Sequence, residues 1–216
     1  MDLRVDFTQP GAAIPAALTW RPSPPAAAAV GAGGLRVQPA PDTDAWARTH
    51  DGFVHTNAQA LGLPGVTGDF VATTRVTMWP RLQYDQAGLV VHVDDDTWLK
   101  ASCEYIPGGP HKLGSVVTQH GFSDWATAPL ADSGAGDAGL AFELRVARLG
   151  EAFLVHTRRS ADEPWFLARL ARLPSAPSVP AHVGLYACCP TGDGGHAVFG
   201  SFEVRPPREG EVSLHG

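Results

Sequence analysis

The chain of 216 residues has few cysteines, and their spacing is not that of a disulfide framework or a zinc site. Cys103, Cys188 and Cys189 are an odd number with one adjacent pair, and no C-x-x-C spacing occurs. Buried free thiols in a reducing compartment are the simplest interpretation. We therefore expect a cytoplasmic protein without a metal or another cofactor.

Basic clusters and long apolar runs are also missing. The formal net charge is −6, and no segment gathers Lys and Arg into the positive surface that nucleic acid or an anionic membrane requires. Nowhere is an apolar run long enough to cross a bilayer. The first residues, MDLRVDFTQPGAAIP, lack the apolar core of a secretory signal. We expect neither nucleic acid nor a membrane as a partner.

Helical periodicity of any length is absent, whereas turn residues are frequent. The 24 glycines and 19 prolines lie between apolar runs, which is typical of an all-β protein. Clear alternation predicts strands over DFVATTRVTMW and over residues 140–149, 152–159 and 165–173, with LGEA as a tight hairpin turn. The stretch PSPPAAAAVGAGG is predicted to be an irregular connection. About ten or eleven strands in all predict one domain over residues 1–216, an antiparallel two-sheet jelly-roll sandwich.

The region from Tyr84 to Trp125 is predicted to form three strands with a polar face. Alternation places Lys100, Ser102 and Glu104 on one face, opposite an apolar set that should face the core. Lys100 and Glu104 lie roughly 13 Å apart along the strand, too far for a direct ion pair. Each needs cross-strand partners or a ligand, so this face is either an ordinary solvated face or a groove that holds a polar ligand.

Neighbouring strands offer further candidates for such a groove. His92, His156, Arg169 and Tyr186 are out of phase with the apolar residues of their strands. Sugars are bound by directional hydrogen-bonding groups together with an aromatic platform, which Tyr84, Trp98 or Trp125 could supply. For any single tryptophan, packing in the core is the alternative role.

Catalytic motifs are weak in this chain. GFSDW is not the G-x-S-x-G elbow of a serine nucleophile, and DDDTW lacks the spacing of a calcium loop. A glycosidase needs two carboxylates across the scissile bond, but Glu104 is alone on its strand with Lys100 at the position of a second acid. Acid–base chemistry of a lyase or epimerase by this pair stays an alternative.

Several motifs in order resemble one known family. They are DTDAWARTHDGF, YDQAGLVV, DDDTWLKASCEY, LGSVVTQHGFSDW and VGLYACCP, within a match from about Leu18 to Val204. The chain is similar to the family of unknown function called "regulation of enolase protein 1, concanavalin A-like". The resemblance implies a concanavalin A-like lectin/glucanase sandwich and no established reaction, and its motif retains Lys100 and Glu104. Fold similarity to lectins is an association only.

Three functions remain open. The first is binding of a carbohydrate or other small polar ligand without catalysis, and the second is a carbohydrate-active hydrolase or lyase that uses Glu104 and Lys100. The third, which the family name suggests, is a module that modulates a metabolic enzyme; a protein partner or a homo-oligomer fits it. The predicted ligand-binding residues are Tyr84, Gln86, His92, Trp98, Lys100, Ser102, Glu104, Trp125, His156, Arg169 and Tyr186.

Overall fold

A computed structural model describes residues 2–130, 139–175 and 177–212, and its regular elements there are all strands. The first nine are β1 (Leu3–Asp6), β2 (Thr19–Arg21), β3 (Ala27–Gly31), β4 (Gly34–Gln38), β5 (Ala45–Trp46), β6 (His55–Thr56), β7 (Gln59–Val66), β8 (Phe70–Trp79) and β9 (Gln86–His92). The others are β10 (Trp98–Glu104), β11 (Lys112–Gln119), β12 (Phe122–Pro129), β13 (Leu140–Leu149), β14 (Ala152–Arg158), β15 (Phe166–Arg172), β16 (Ala181–Cys188) and β17 (His196–Arg205).

The strands form two antiparallel sheets packed face to face. One sheet, which we call the site sheet, has the order β12-β11-β10-β9-β16-β7-β2. The other, the back sheet, has the order β15-β14-β13-β8-β17-β4-β3, and β1 also pairs with β17. This confirms the all-β jelly-roll sandwich predicted from alternation.

The main apolar core lies between the two sheets. Leu89 and Leu99 of the site sheet and Phe142 and Phe202 of the back sheet are fully or almost fully buried in it. Cys103 also lies there, as its phase with Leu99 predicted, and burial raises the pKa of its thiol. The residues that alternate with this set on the site sheet therefore point away from the core, onto the sheet's outer face.

Tight turns set the register of two hairpins, one in each sheet. His120 and Gly121 both have positive φ, which is the conformation of a two-residue type I′ hairpin, and they join β11 to β12. The predicted LGEA turn likewise joins β13 to β14, with Leu149 paired to Ala152.

Between Tyr84 and Trp125 the chain forms four strands rather than the predicted three, because FSDW pairs with β11 as a strand of its own.

Two short elements depart from the prediction. The segment expected to be an irregular connection contains β3, which forms a hairpin with β4 at the edge of the back sheet. Residues 41–58, which we call the flap, include the small hairpin of β5 and β6 and cross the outer face of the site sheet. The flap covers part of the polar face for which the sequence predicted either contact with solvent or a groove.

Candidate functional site

A buried ammonium group is at the centre of the outer face. Lys100 is 2% exposed, and its Nζ donates to Asp44 Oδ1 at 2.9 Å, to Gln86 Oε1 at 3.1 Å and to the Tyr186 hydroxyl at 3.1 Å. Burial has the largest single effect on the pKa of Lys100 and lowers it, but Asp44 and the other acidic groups nearby together outweigh burial, so the pKa is raised. The three donors of the ammonium are thus all used within the protein.

Neighbouring groups complete a buried polar floor. Ser102 Oγ donates to Gln86 Oε1 at 3.1 Å, and the Tyr186 hydroxyl lies 2.9 Å from Cys188 Sγ. Burial raises the pKa of both Tyr186 and Cys188 well above their ordinary values, so both keep their protons at neutral pH. The floor therefore holds one ammonium, neutral hydroxyl and thiol groups, and the carboxylate of Asp44.

Asp44 comes from the flap and was missed by the sequence analysis. Its backbone is held by Asn57, whose amide oxygen accepts from Asp44 N at 3.0 Å and whose own N–H donates to Asp44 O at 3.1 Å. The side chain also accepts from Ala45 N at 2.7 Å. The only sequence signal was the motif DTDAWARTHDGF, which carried the family resemblance but no assigned role.

Glu104 occupies the next position along the same face and is also buried. The carboxyl group lies directly over Gly114, where an added Cβ would be 1.9 Å from Oε1, so a side chain at that position would displace the carboxyl group. The Trp125 side chain hydrogen-bonds to Glu104. Burial raises the pKa of Glu104, and its interactions with Lys100, Trp125 and Lys112 offset only part of that effect.

A cavity of about 320 Å³ opens above Lys100 and Glu104. Aromatic side chains form much of its wall, with Trp46 packed edge to face on Trp125 at 6.1 Å between ring centres. Tyr84 has a positive φ and lies within a turn held by the Asp85 carboxylate. The lining residues are Asp44, Trp46, Phe53, Tyr84, Gln86, Lys100, Glu104, Val116, Trp125, Pro190 and Thr191.

A second cavity of about 600 Å³ lies on the other side of the flap. His92 and Trp98 line it, together with Arg21, which forms an ion pair with Asp95. Burial and the positive charge of Arg21 lower the pKa of His92 to about 3, so its imidazole is neutral. His92 and Trp98 are thus on the predicted face but not in the cavity of Lys100.

The structure separates Trp98, Arg169 and His156 from the predicted groove. Trp98, expected at the groove's edge, is 2% exposed and packs beneath the flap in a second apolar cluster with Ala45 and Val90. Arg169 belongs to the back sheet, and its guanidinium bonds Ser115 O and Asp124 at the edge of the sandwich. His156 is also on the back sheet, opposite Arg145. Alternation predicts the face of a residue but not the sheet to which its strand belongs.

Tyr84, Gln86, Lys100, Glu104 and Trp125 are brought together at one cavity, and Ser102 and Tyr186 lie in the floor beneath them. In the part of the chain that the structure describes, no group of three His, Cys, Asp or Glu side chains is arranged to hold a metal ion. The same part contains no helix suited to crossing a bilayer.

The family described as "Protein of unknown function (DUF1349)" matches residues 20–207. The chain belongs to this family. A curated relative, "Regulation of enolase protein 1" of Saccharomyces cerevisiae, is 34% identical over 178 residues, which is 82% of this chain and 83% of the relative.

Solved structures agree with the fold. A functionally unknown protein from Saccharomyces cerevisiae superposes with a TM-score of 0.76 at 33% identity, covering 89% of this chain and 97% of that one. A Bacteroides ovatus protein described as xyloglucan PUL GH43B gives a TM-score of 0.71 at 17% identity, covering 94% of this chain and 39% of that one. At that identity the second likeness shows the sandwich fold alone.

Proposed function

We propose that the 320 Å³ cavity binds a small polar ligand of the carbohydrate class. The observation that carries the proposal is the combination of aromatic walls with a buried, internally hydrogen-bonded polar floor. Binding cavities of this kind are mostly apolar and place a few polar groups at fixed positions. The volume lies at the small end of the usual range of about 300–1,000 Å³ and so fits one or two sugar rings.

The experiment is a direct titration of sugars. Isothermal calorimetry and ligand-observed NMR against mono- and disaccharides should detect binding by the unmodified protein. Phe53→Ala removes part of the cavity wall and should weaken that binding, whereas Phe166→Ala removes another exposed ring, beside β14 on the back sheet, and should not. Binding that is lost equally in both variants, or that is absent throughout, would reject the proposal.

The catalytic alternative uses Glu104 and Lys100. Lys100 is poorly suited to proton transfer because each of its three N–H groups already has an acceptor. Glu104, with its raised pKa, retains the properties of a general acid. Turnover of a bound sugar that disappears in Glu104→Gln, with binding retained, would favour the enzyme; binding without product favours the ligand-binding module.

A second candidate function is modulation of a metabolic enzyme. The name of the yeast relative points to enolase, and apolar side chains at the flap and on β12 are exposed: Phe53, Val54, Phe122 and Trp125. Exposed apolar patches commonly mark interaction sites. Analytical gel filtration of this protein with purified enolase tests it, with Phe122→Ser expected to break a complex and Leu170→Ser, on β15, expected to leave it intact.

A further inference from the structure

The hydrogen-bond donors of Lys100 and Thr191, which line the 320 Å³ cavity, are used within the protein. Lys100 donates its three N–H groups to Asp44, Gln86 and Tyr186. The Thr191 hydroxyl donates to Gln83 O at 3.0 Å, and the Trp125 side chain bonds Glu104. The carboxylate oxygens and ring faces of the lining accept rather than donate, while Gln86, Trp46 and Tyr84 also carry side-chain N–H or O–H groups at the cavity.

The charges at the cavity are also unbalanced. Asp44 is paired with Lys100 at 2.9 Å, whereas Glu104 forms no ion pair among the described residues and meets Lys100 and Lys112 only through space. A buried carboxylate is costly unless a cation or several donors compensate it. A ligand that brings a positive charge to Glu104 would supply the missing partner and would favour the ionised form, against the burial that raises the pKa of Glu104.

Four aromatic residues line the same cavity as this carboxyl group: Trp46, Phe53, Tyr84 and Trp125. Ring faces attract cations through their quadrupole, and cages of such rings are how proteins recognise quaternary ammonium groups. The ring of Trp125 already attracts a cation, since Lys112 Nζ lies 5.1 Å from its centre although Lys112 does not line the cavity. The walls and the floor therefore favour the same kind of ligand.

We propose that the ligand of this cavity carries a positively charged nitrogen, which Glu104 and the four aromatic rings enclose. The inference rests on the proposed binding function of the same cavity and narrows its ligand to an organic ammonium. An amino sugar and a quaternary amine share this chemistry. An anion would meet the carboxyl groups of Asp44 and Glu104, and a neutral sugar would leave Glu104 without a cation.

The test compares ligands that differ in charge but hardly in shape. Choline and 3,3-dimethylbutan-1-ol differ only in the nitrogen or carbon that bears the methyl groups, and glucosamine and glucose differ in one substituent. Calorimetric titrations at about pH 6.5 keep the amine of glucosamine protonated. We expect the charged member of at least one pair to bind about 10-fold tighter, and the pair that shows the difference identifies the source of the ammonium.

Two variants assign that preference to the cavity. Glu104→Gln keeps the shape and removes the charge, so the preference should fall to about two-fold or less. Glu151→Gln, which removes an exposed carboxylate from the back-sheet hairpin, should keep the full preference. The comparison of paired ligands on the unmodified protein needs no variant, so it stands even if Glu104→Gln does not fold.

The outcomes separate the two proposals. Equal binding within both pairs, or preference for the neutral members, would overturn the ammonium proposal while the binding function stands. A charge preference that persists undiminished in folded Glu104→Gln would also overturn it, because the charge would then be recognised elsewhere. Failure of all four ligands and of the wider sugar panel would reject both proposals.

Discussion

Lys100 shows how single residues determine the properties of this site. A buried ammonium loses its hydration, and only well-placed acceptors can replace it. Here Asp44, Gln86 and Tyr186 do so, and they come from the flap, from β9 and from β16. Lys100 therefore acts as a cross-link between the flap and two strands, as well as a charge beneath the cavity.

We expect removal of one partner of this pair to be strongly destabilising. Asp44→Ala leaves the ammonium of Lys100 buried without its counter-charge, which should lower the free energy of unfolding by about 3–5 kcal/mol. Glu151→Ala breaks an ion pair with Arg172 in which the Glu151 side chain is 43% exposed and the Arg172 side chain 66% exposed. Its loss should therefore lower the free energy of unfolding by less than about 1 kcal/mol. Urea unfolding measures both; similar losses would contradict the cross-linking role.

Gly114 is the second residue on which the site depends. A methyl group there would collide with the Glu104 carboxyl group, whereas an added methyl at Gly31, in edge strand β3, meets nothing within 4 Å. We expect Gly114→Ala to displace Glu104 and to weaken binding in the cavity at least 10-fold, and Gly31→Ala to leave it unchanged. Titration with the best ligand of the panel measures this, and normal affinity in Gly114→Ala would show that the position of Glu104 is unimportant.

At the scale of elements, the flap is the part of the site that the sequence could not predict. Its strands β5 and β6 have two residues each, too short for alternation to be recognised. The position of the flap depends on distant contacts, such as the Ala47 N–H donating to Ser123 Oγ at 2.9 Å. Asp44, Trp46 and Phe53 were missed for this reason, whereas Lys100 and Glu104 on the seven-residue strand β10 were predicted.

Ser123 gives a test of how the flap is held. Its hydroxyl accepts from Ala47 N and shares a hydrogen bond of 2.7 Å with Thr118 Oγ1. Ser123→Ala leaves two buried polar groups without a partner and should cost about 1–3 kcal/mol, with faster hydrogen exchange at the Ala47 amide. Thr127→Ala, at an exposed position of the same strand, should change neither; unchanged exchange in Ser123→Ala would show that the flap is anchored elsewhere.

For the whole molecule, the sandwich could be predicted because alternation and turn residues are local properties of the chain. Leu89 and Leu185 are in the core as their phase indicated. The assignment of Arg169 and His156 to the groove failed because both strands, β15 and β14, belong to the back sheet. Sheet membership follows from pairing between distant segments, and a single sequence carries little information on that pairing.

Buried neutral histidines should make the molecule sensitive to acid. Burial lowers the pKa of His92 to about 3 and that of His156 to about 4, below the ordinary value near 6.5. Between the lowered pKa values and the ordinary value near 6.5, the unfolded chain binds more protons than the folded one. The free energy of unfolding therefore falls as the pH falls below about 6.5. For His92 alone the loss reaches roughly 2 kcal/mol at pH 5.

His92→Gln removes one of these titrating groups. The difference in unfolding free energy between pH 7 and pH 5 should be smaller in the variant by up to about 2 kcal/mol. Urea titrations at the two pH values measure it. His50→Gln, which changes an exposed histidine, should keep the full difference; an equal reduction in both variants would contradict the role of burial.

The flap also has a consequence for the length of what can be bound. It is bridged to the rest of the sandwich at its first residue, through Pro41 to Cys189, and near its middle, through Arg48 to Phe122. Its alanines pack on Trp98 between the two cavities. A polymer laid along the strands would therefore be stopped at the flap. Under the proposed binding function, the cavity at Glu104 would therefore accept the terminal unit of a polysaccharide or a short molecule, but not an internal stretch of the polymer.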